Sequence, residues 1–157
     1  MPFDRVVTGA QADFPARTAG QGGFAYAKHQ VIEKAGNQLQ VSFMEIPPGR
    51  SAFPYHWHEA VTEAYVILAG QGRVRTPDAE FDVGPGQVVV FPPGPAGAHR
   101  ITNTGDVPLR YVDLDTTDDP DVCHYPDSGK TARISSLGTT IWRDADATGY
   151  YDGEPDA

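Results

Sequence analysis

The sequence predicts an all-β barrel or sandwich built as one domain, and three observations predict it. Gly (17) and Pro (14) make up about a fifth of the chain and are spread along it, so they break up any long helical pattern. Between about residues 38 and 115 the chain falls into short runs rich in Val, Ile, Phe, Tyr and Thr, spaced as strands of one sheet system are. A length of 157 residues suits one domain, which can bury roughly 70% of its unfolded surface.

Taken in order, residues 1–37 form an N-terminal extension with a Gly-rich stretch at 20–23 and a strand pair or edge extension at 24–33. The barrel core covers 38–115, with strands at 39–46, 51–58, 63–69, 72–77, 80–83, 87–92, 99–103 and 109–115. Turn residues separate them: Pro47-Pro48-Gly49, Gly70-Gln71-Gly72, Pro77-Asp78, Gly84-Pro85-Gly86, Pro92-Pro93-Gly94 and Asn103-Thr104-Gly105-Asp106. Residues 116–157 form a C-terminal extension with one short strand at 131–136 and an acidic tail. Trp142, Tyr150 and Tyr151 give that tail enough apolar area to dock on the barrel or on a partner subunit.

Twelve Lys and Arg against 21 Asp and Glu leave a net charge of -9, which repels phosphate backbones and anionic lipid. Nucleic acid and membrane are therefore not expected partners. The longest apolar run, 64–69, is far short of the roughly 20 residues that span a bilayer. One cysteine, Cys123, forms no disulfide within the chain, and residues 1–14 lack the basic start and apolar run of a secretion signal, so the expected compartment is the cytoplasm.

Chemistry concentrates in 49–70. Residues two apart on a strand share a face, so His56 and His58 present two imidazoles to one side. After a four-residue turn Glu63 opens the next strand and can return its carboxylate to the same depth, and His99 starts a later strand that can approach across the lumen. Three imidazoles and one carboxylate suit a divalent transition metal (Zn, Fe, Mn, Ni, Co or Cu) with positions left for a substrate. Tyr65 shares the parity of Glu63 and is the candidate catalytic phenol; Tyr111 and Phe43 are weaker lumen candidates. Arg73 and Arg75 flank Val74 and are solvated if Val74 packs inward. Trp57, between two inward histidines, turns outward against another layer or subunit. Glu59 reads as a solvated turn residue, His29 and His124 as ordinary histidines outside the site. Cys123 and His124 point to opposite sides, so they make no nucleophile pair, and Cys123 reads as buried without a role.

These residues resemble the cupin superfamily. Gly49 through His56, His58 and Glu63 to Gly70 is similar to the first cupin motif, G(X)5HXH(X)3,4E(X)6G, and Gly86 through Pro92, Gly94 and His99 to Asn103 to the second, G(X)5PXG(X)2H(X)3N. Two departures stand out: six residues separate Gly49 from His56 where the motif has five, and four separate Gly94 from His99 where it has two. Segments beyond the motifs look like small bacterial single-domain cupins sometimes labelled sugar-phosphate-isomerase-like. The resemblance implies a double-stranded β-helix, a homodimer, and a metal held by His56, His58, Glu63 and His99. The expected function is a metal-dependent enzyme on a small oxygenated molecule, of isomerase or dioxygenase type; the alternative is a metal-dependent module that binds or senses a small ligand without turnover.

Overall fold

The computed structural model describes residues 17–34 and 36–155, so the readings made for residues 1–16 and the end of the acidic tail lie outside the described residues. Strands occupy β1 (Arg17–Gln21), β2 (Phe24–Ile32), β3 (Leu39–Ile46), β4 (Trp57–His58), β5 (Glu63–Ala69), β6 (Gly72–Arg75) and β7 (Glu80–Val83). They continue as β8 (Val88–Phe91), β9 (Arg100–Asn103), β10 (Leu109–Thr116), β11 (Asp121–Tyr125), β12 (Lys130–Ser135) and β13 (Gly138–Arg143). The described residues contain no α-helix, only three 3-10 turns, and none of their segments is a helix long and apolar enough to cross a membrane.

Six strands form one sheet in the order β1-β2-β3-β10-β5-β8, facing a three-stranded sheet β7-β6-β9; a third sheet runs β13-β12-β11-β4. Alternation supplies the core between the first two. Met44 and Ile46 of β3, Tyr65 and Ile67 of β5, Leu109 and Tyr111 of β10, and Phe91 of β8 meet Val74, Val83 and Ile101 from the other side. With Val74 inside, Arg73 and Arg75 point out: Arg73 donates to Asp82 at 2.8 Å, and Arg75 forks onto Asp127 at 2.7 and 3.0 Å. Phe43 is not a lumen residue. The buried members of β3 are Ser42, Met44 and Ile46, and the period of two puts Phe43, half-buried, on the other face.

Three differences from the sequence reading have local causes. The run 51–58 is a strand only at Trp57–His58, because Pro54 offers no N–H; Ser51 and His56 make single bridges instead. The sequence reading gives residues 116–157 one strand, at 131–136, whereas β11 also forms there and pairs with β4 on one side and β12 on the other. β13 was unanticipated as well, since its Gly-Thr-Thr start sits on an exposed edge with no alternation to read.

Asn103 closes the barrel end. It is 1% exposed, its amide nitrogen donates to the Ile46 and Val107 carbonyls at 2.8 Å each, and its oxygen accepts from the Gly105 N–H at 2.9 Å. Asn103→Ala removes three hydrogen bonds, the one to the Ile46 carbonyl buried and the other two part-buried, and is expected to cost about 1–3 kcal/mol, read by urea unfolding; a loss below about 0.5 kcal/mol would contradict this role.

Candidate metal centre

Backbone pairing brings the two halves of the site together. His56 donates its N–H to the His99 carbonyl at 3.1 Å and accepts from the His99 N–H at 2.8 Å, so the residues sit opposite one another. The two extra residues between Gly94 and His99 are taken up in the 3-10 turn Pro95–Gly97, closed by Gly97 N–H to the Gly94 carbonyl at 3.0 Å. The longer spacing is thus absorbed before the strand begins.

Each imidazole is gripped at Nδ1. His56 donates to the Pro54 carbonyl at 2.8 Å, His99 to the Gly97 carbonyl at 2.9 Å, and His58 to the Asp121 carboxylate at 2.5 Å. Their Nε2 atoms lie 3.6, 3.3 and 3.6 Å from Glu63 Oε2 for His56, His99 and His58 respectively. Phe91 stacks flat on His99, with centroids 3.6 Å apart, and fixes that ring. An acceptor on Nδ1 orients the Nε2 lone pair, the usual support of a metal-bound histidine. The donor set fits a divalent transition ion by its chemistry; His56, Glu63 and His99 place donor atoms within 4.8 Å of one another, a group that His58 does not join although its Nε2 lies 3.6 Å from Glu63.

Electrostatics favour neutral, ligand-ready rings at His56 and His99, whereas His58 holds a proton that an ion would have to displace. Burial, reinforced by the charge on His58, pushes His56 down to about 4, and burial with His56 beside it holds His99 well below the imidazole range. Burial also works against a charged His58, but the Asp121 carboxylate, with Cys123 and Glu63 behind it, outweighs burial and raises it to about 11. Glu63 is lifted by burial to about 7 although His58 opposes the rise. A cation would reward the ionised Glu63 that burial otherwise penalises.

Tyr65 is 1% exposed and does not line the cavity; its hydroxyl lies 3.0 Å from His99 Nε2. The cavity, about 250 Å3, is lined by His56, His58, Glu63 and residues that sequence reasoning missed: Lys28, Asp113, Asp115 and Cys123 among them. Asp113 and Asp115 are two apart on β10, next to Glu63, and all three carboxylates can place an oxygen within 4.8 Å of the others. Lys28 Nζ lies 3.5 Å from Asp113 Oδ2. No N–H or hydroxyl donor reaches Oδ1 of either aspartate, yet the two carboxyls lie within hydrogen-bonding reach of each other, which requires a proton between them. Accordingly burial and Asp115 lift Asp113 to about 8, and burial and Glu63 lift Asp115 to about 6. The alternation Tyr111, Asp113, Asp115 within an apolar strand was the available signal. Outside the centre, Trp57 stacks on His124 at 4.1 Å, which in turn donates to Glu59 at 2.8 Å.

Asp121→Asn removes the charge that grips His58. Metal affinity is expected to fall about 10- to 100-fold, measured by chelator competition; wild-type affinity would show that Asp121 has no part in holding the ligand.

The cupin domain model matches residues 42–115. An uncharacterized protein of Methanocaldococcus jannaschii is 32% identical over 81 residues, 52% of this chain, and the chain spans 56% of that relative's length. Among solved structures, a protein from Acidithiobacillus ferrooxidans provisionally called a sugar phosphate isomerase superposes with TM-score 0.79 at 23% identity, covering 92% of this chain and 95% of that one. A cupin-superfamily protein from Silicibacter pomeroyi DSS-3, called a sugar phosphate isomerase, gives TM-score 0.75 at 18% identity over 87% of this chain and 92% of that one.

Proposed function

Because residues 42–115 are a cupin domain and the chain has the double-stranded β-helix fold, we propose that it is a metal-dependent enzyme acting on a small oxygenated molecule, of isomerase type. His56, His58, Glu63 and His99 would hold one divalent ion. The observation that carries this reading is the approach of three Nε2 atoms to one carboxylate oxygen, with His56, His58 and Glu63 at the wall of a cavity sized for a small guest and His99 behind them. When bound, the ion supplies Lewis acidity toward a substrate oxygen.

The chain's own residues supply the rest. Isomerisation needs a group that takes a proton and returns it, and the Asp113–Asp115 pair keeps such a proton inside the cavity. Lys28 restrains Asp113 by its charge. The Phe91 ring keeps His99 in place, while the Tyr65 hydroxyl donates to the Nε2 lone pair that an ion would take and must turn away when one binds, so we assign Tyr65 to holding His99 in the metal-free protein. The names of the two solved relatives direct the first substrates tested to sugar phosphates.

The test is turnover of sugar phosphates, keto acids and catechols by protein loaded with each ion in turn. Isomerised product supports the proposal; saturable binding without consumption of any of them would favour the sensing module instead. We further propose a homodimer: β8 is a sheet edge whose Val88 and Val90 are each 58% exposed beside Leu68. Light scattering should give twice the chain mass at micromolar concentration, and a monomer mass would remove this part.

A further inference from the structure

The cavity beside the centre has two unlike walls. The six-stranded sheet gives it Lys28, Gln40, Glu63, Asp113 and Asp115, whereas the loops flanking β4 and the third sheet give it Phe53, Pro54, Val61, Tyr125 and Ile134, besides the imidazoles, Asp121 and Cys123. Ile134 is the register partner of Asp121 across the β11–β12 pair, so its side chain enters on the same side as the carboxylate that grips His58. The aromatic members are braced. Phe53 packs on Tyr26 with ring centroids 4.9 Å apart, and the Tyr125 ring lies 23° from parallel to His56 at 6.1 Å.

Much of the polar capacity around this space is already taken. Thr116 Oγ1 accepts from the Thr62 N–H at 2.9 Å, and the Thr117 hydroxyl donates to the Asn37 carbonyl. The Gln40 amide donates to Asp115 Oδ2 at 2.7 Å while its oxygen accepts from Gln30 at 3.2 Å, and Asp121 is held by His58 and the Ala60 N–H. The lining cations are Lys28, whose Nζ stays 3.5 Å from Asp113 Oδ2, and Lys34. At about 250 Å3 the space is smaller than the roughly 300–1,000 Å3 of sites for drug-sized ligands. A short guest with one anionic end and an apolar remainder matches these walls. A sugar phosphate carries a hydroxyl on nearly every carbon, and those facing Phe53, Val61 and Ile134 would lose water with no partner in exchange.

We propose that the guest is a short 2-oxo acid with a branched apolar tail, its carboxylate held at Lys28 and Lys34 and its tail against Phe53, Val61 and Ile134. The inference rests on the metal-dependent reading above, which calls for a substrate oxygen, and it narrows the substrate class of that site. The carboxylate matches the two ammonium groups in charge. Each tail carbon taken out of water is worth about a fourfold gain in affinity.

The test is equilibrium dialysis of the full chain loaded with Zn2+, its zinc content measured on the same sample, against 4-methyl-2-oxopentanoate, pyruvate and fructose 6-phosphate. The wild-type comparison depends on no variant folding: the branched acid should bind at least about tenfold more tightly than pyruvate, and more tightly than the sugar phosphate. Ile134→Thr, which keeps a β-branched residue in the strand, should lower affinity for the branched acid and leave that for pyruvate unchanged. Lys28→Met and Lys34→Met should each weaken both acids, by about tenfold at the stronger contact. With about one zinc per chain, equal affinity for pyruvate and the branched acid, tighter binding of fructose 6-phosphate, or retention of none of the three would overturn this substrate class and leave the metal centre standing. Protein that takes up no zinc would overturn the metal centre and this inference with it.

Discussion

Glu63→Gln is expected to empty the centre while leaving the barrel folded. The side chain keeps its shape and loses the charge that three imidazole nitrogens surround at 3.3 to 3.6 Å. Burial already lifts this carboxyl to about 7, so the neutral amide is well tolerated in the metal-free protein. Bound ion should fall from about one equivalent per chain to under about a tenth, because a neutral amide oxygen is a far weaker ligand than a carboxylate. Elemental analysis after metal loading measures the first quantity and far-ultraviolet circular dichroism checks the second. Stoichiometric metal in the variant would remove Glu63 from the ligand set.

Gly97→Ala should unseat His99 from a distance of two residues. A Cβ at Gly97 would fall 1.8 Å from the Pro92 carbonyl oxygen, a contact between backbone atoms in which neither partner is a flexible side chain. The turn Pro95–Gly97 must move, and with it the Gly97 carbonyl that accepts from His99 Nδ1. A loss of about 2–4 kcal/mol in unfolding free energy is expected, as for other overpacked sites, together with weaker metal binding. Gly84→Ala is the control. Its Cβ meets nothing within 4 Å, so a change within about 0.5 kcal/mol is expected there. Equal stability of the two variants would refute the steric argument.

The carboxyl pair predicts a pH dependence with a definite sign. Asp113 titrates near 8 in the fold against 3.8 in the open chain, so between those values the folded state binds the extra proton. That stabilisation is complete below about 3.8 and is lost as pH rises through about 8. Asp113→Asn mimics the protonated form. The melting temperature of the variant relative to wild type should therefore climb by several degrees between pH 4 and pH 8. A constant difference would mean that Asp113 is ionised throughout.

Short-range pattern made much of this molecule readable. The strands at residues 39–46, 63–69 and 80–83 begin and end as read, because alternation and turn residues act over a few positions. His56 and His58 share a side for the same reason, and Val74 directs Arg73 and Arg75 outward by the same period of two. Residue type alone indicated what His56, His58, Glu63 and His99 could hold.

Tertiary structure decided which other groups reach them. Asp121 and Cys123 lie more than sixty residues from His58 along the chain and meet it only because β11 pairs with β4, a contact set by how the sheets close. Asp113 sits in a strand whose neighbours, β3 and β5, are fixed by sheet order and not by sequence distance. Tyr65 shows the difference within one residue: its parity, a local property, turned it inward, but the position of His99 3.0 Å away, a product of the whole barrel, gave its hydroxyl a histidine partner. Local sterics and hydrophobic period act along the chain and so leave a trace in the sequence. Distance between strands is settled by packing of the entire core, which no stretch of residues encodes by itself.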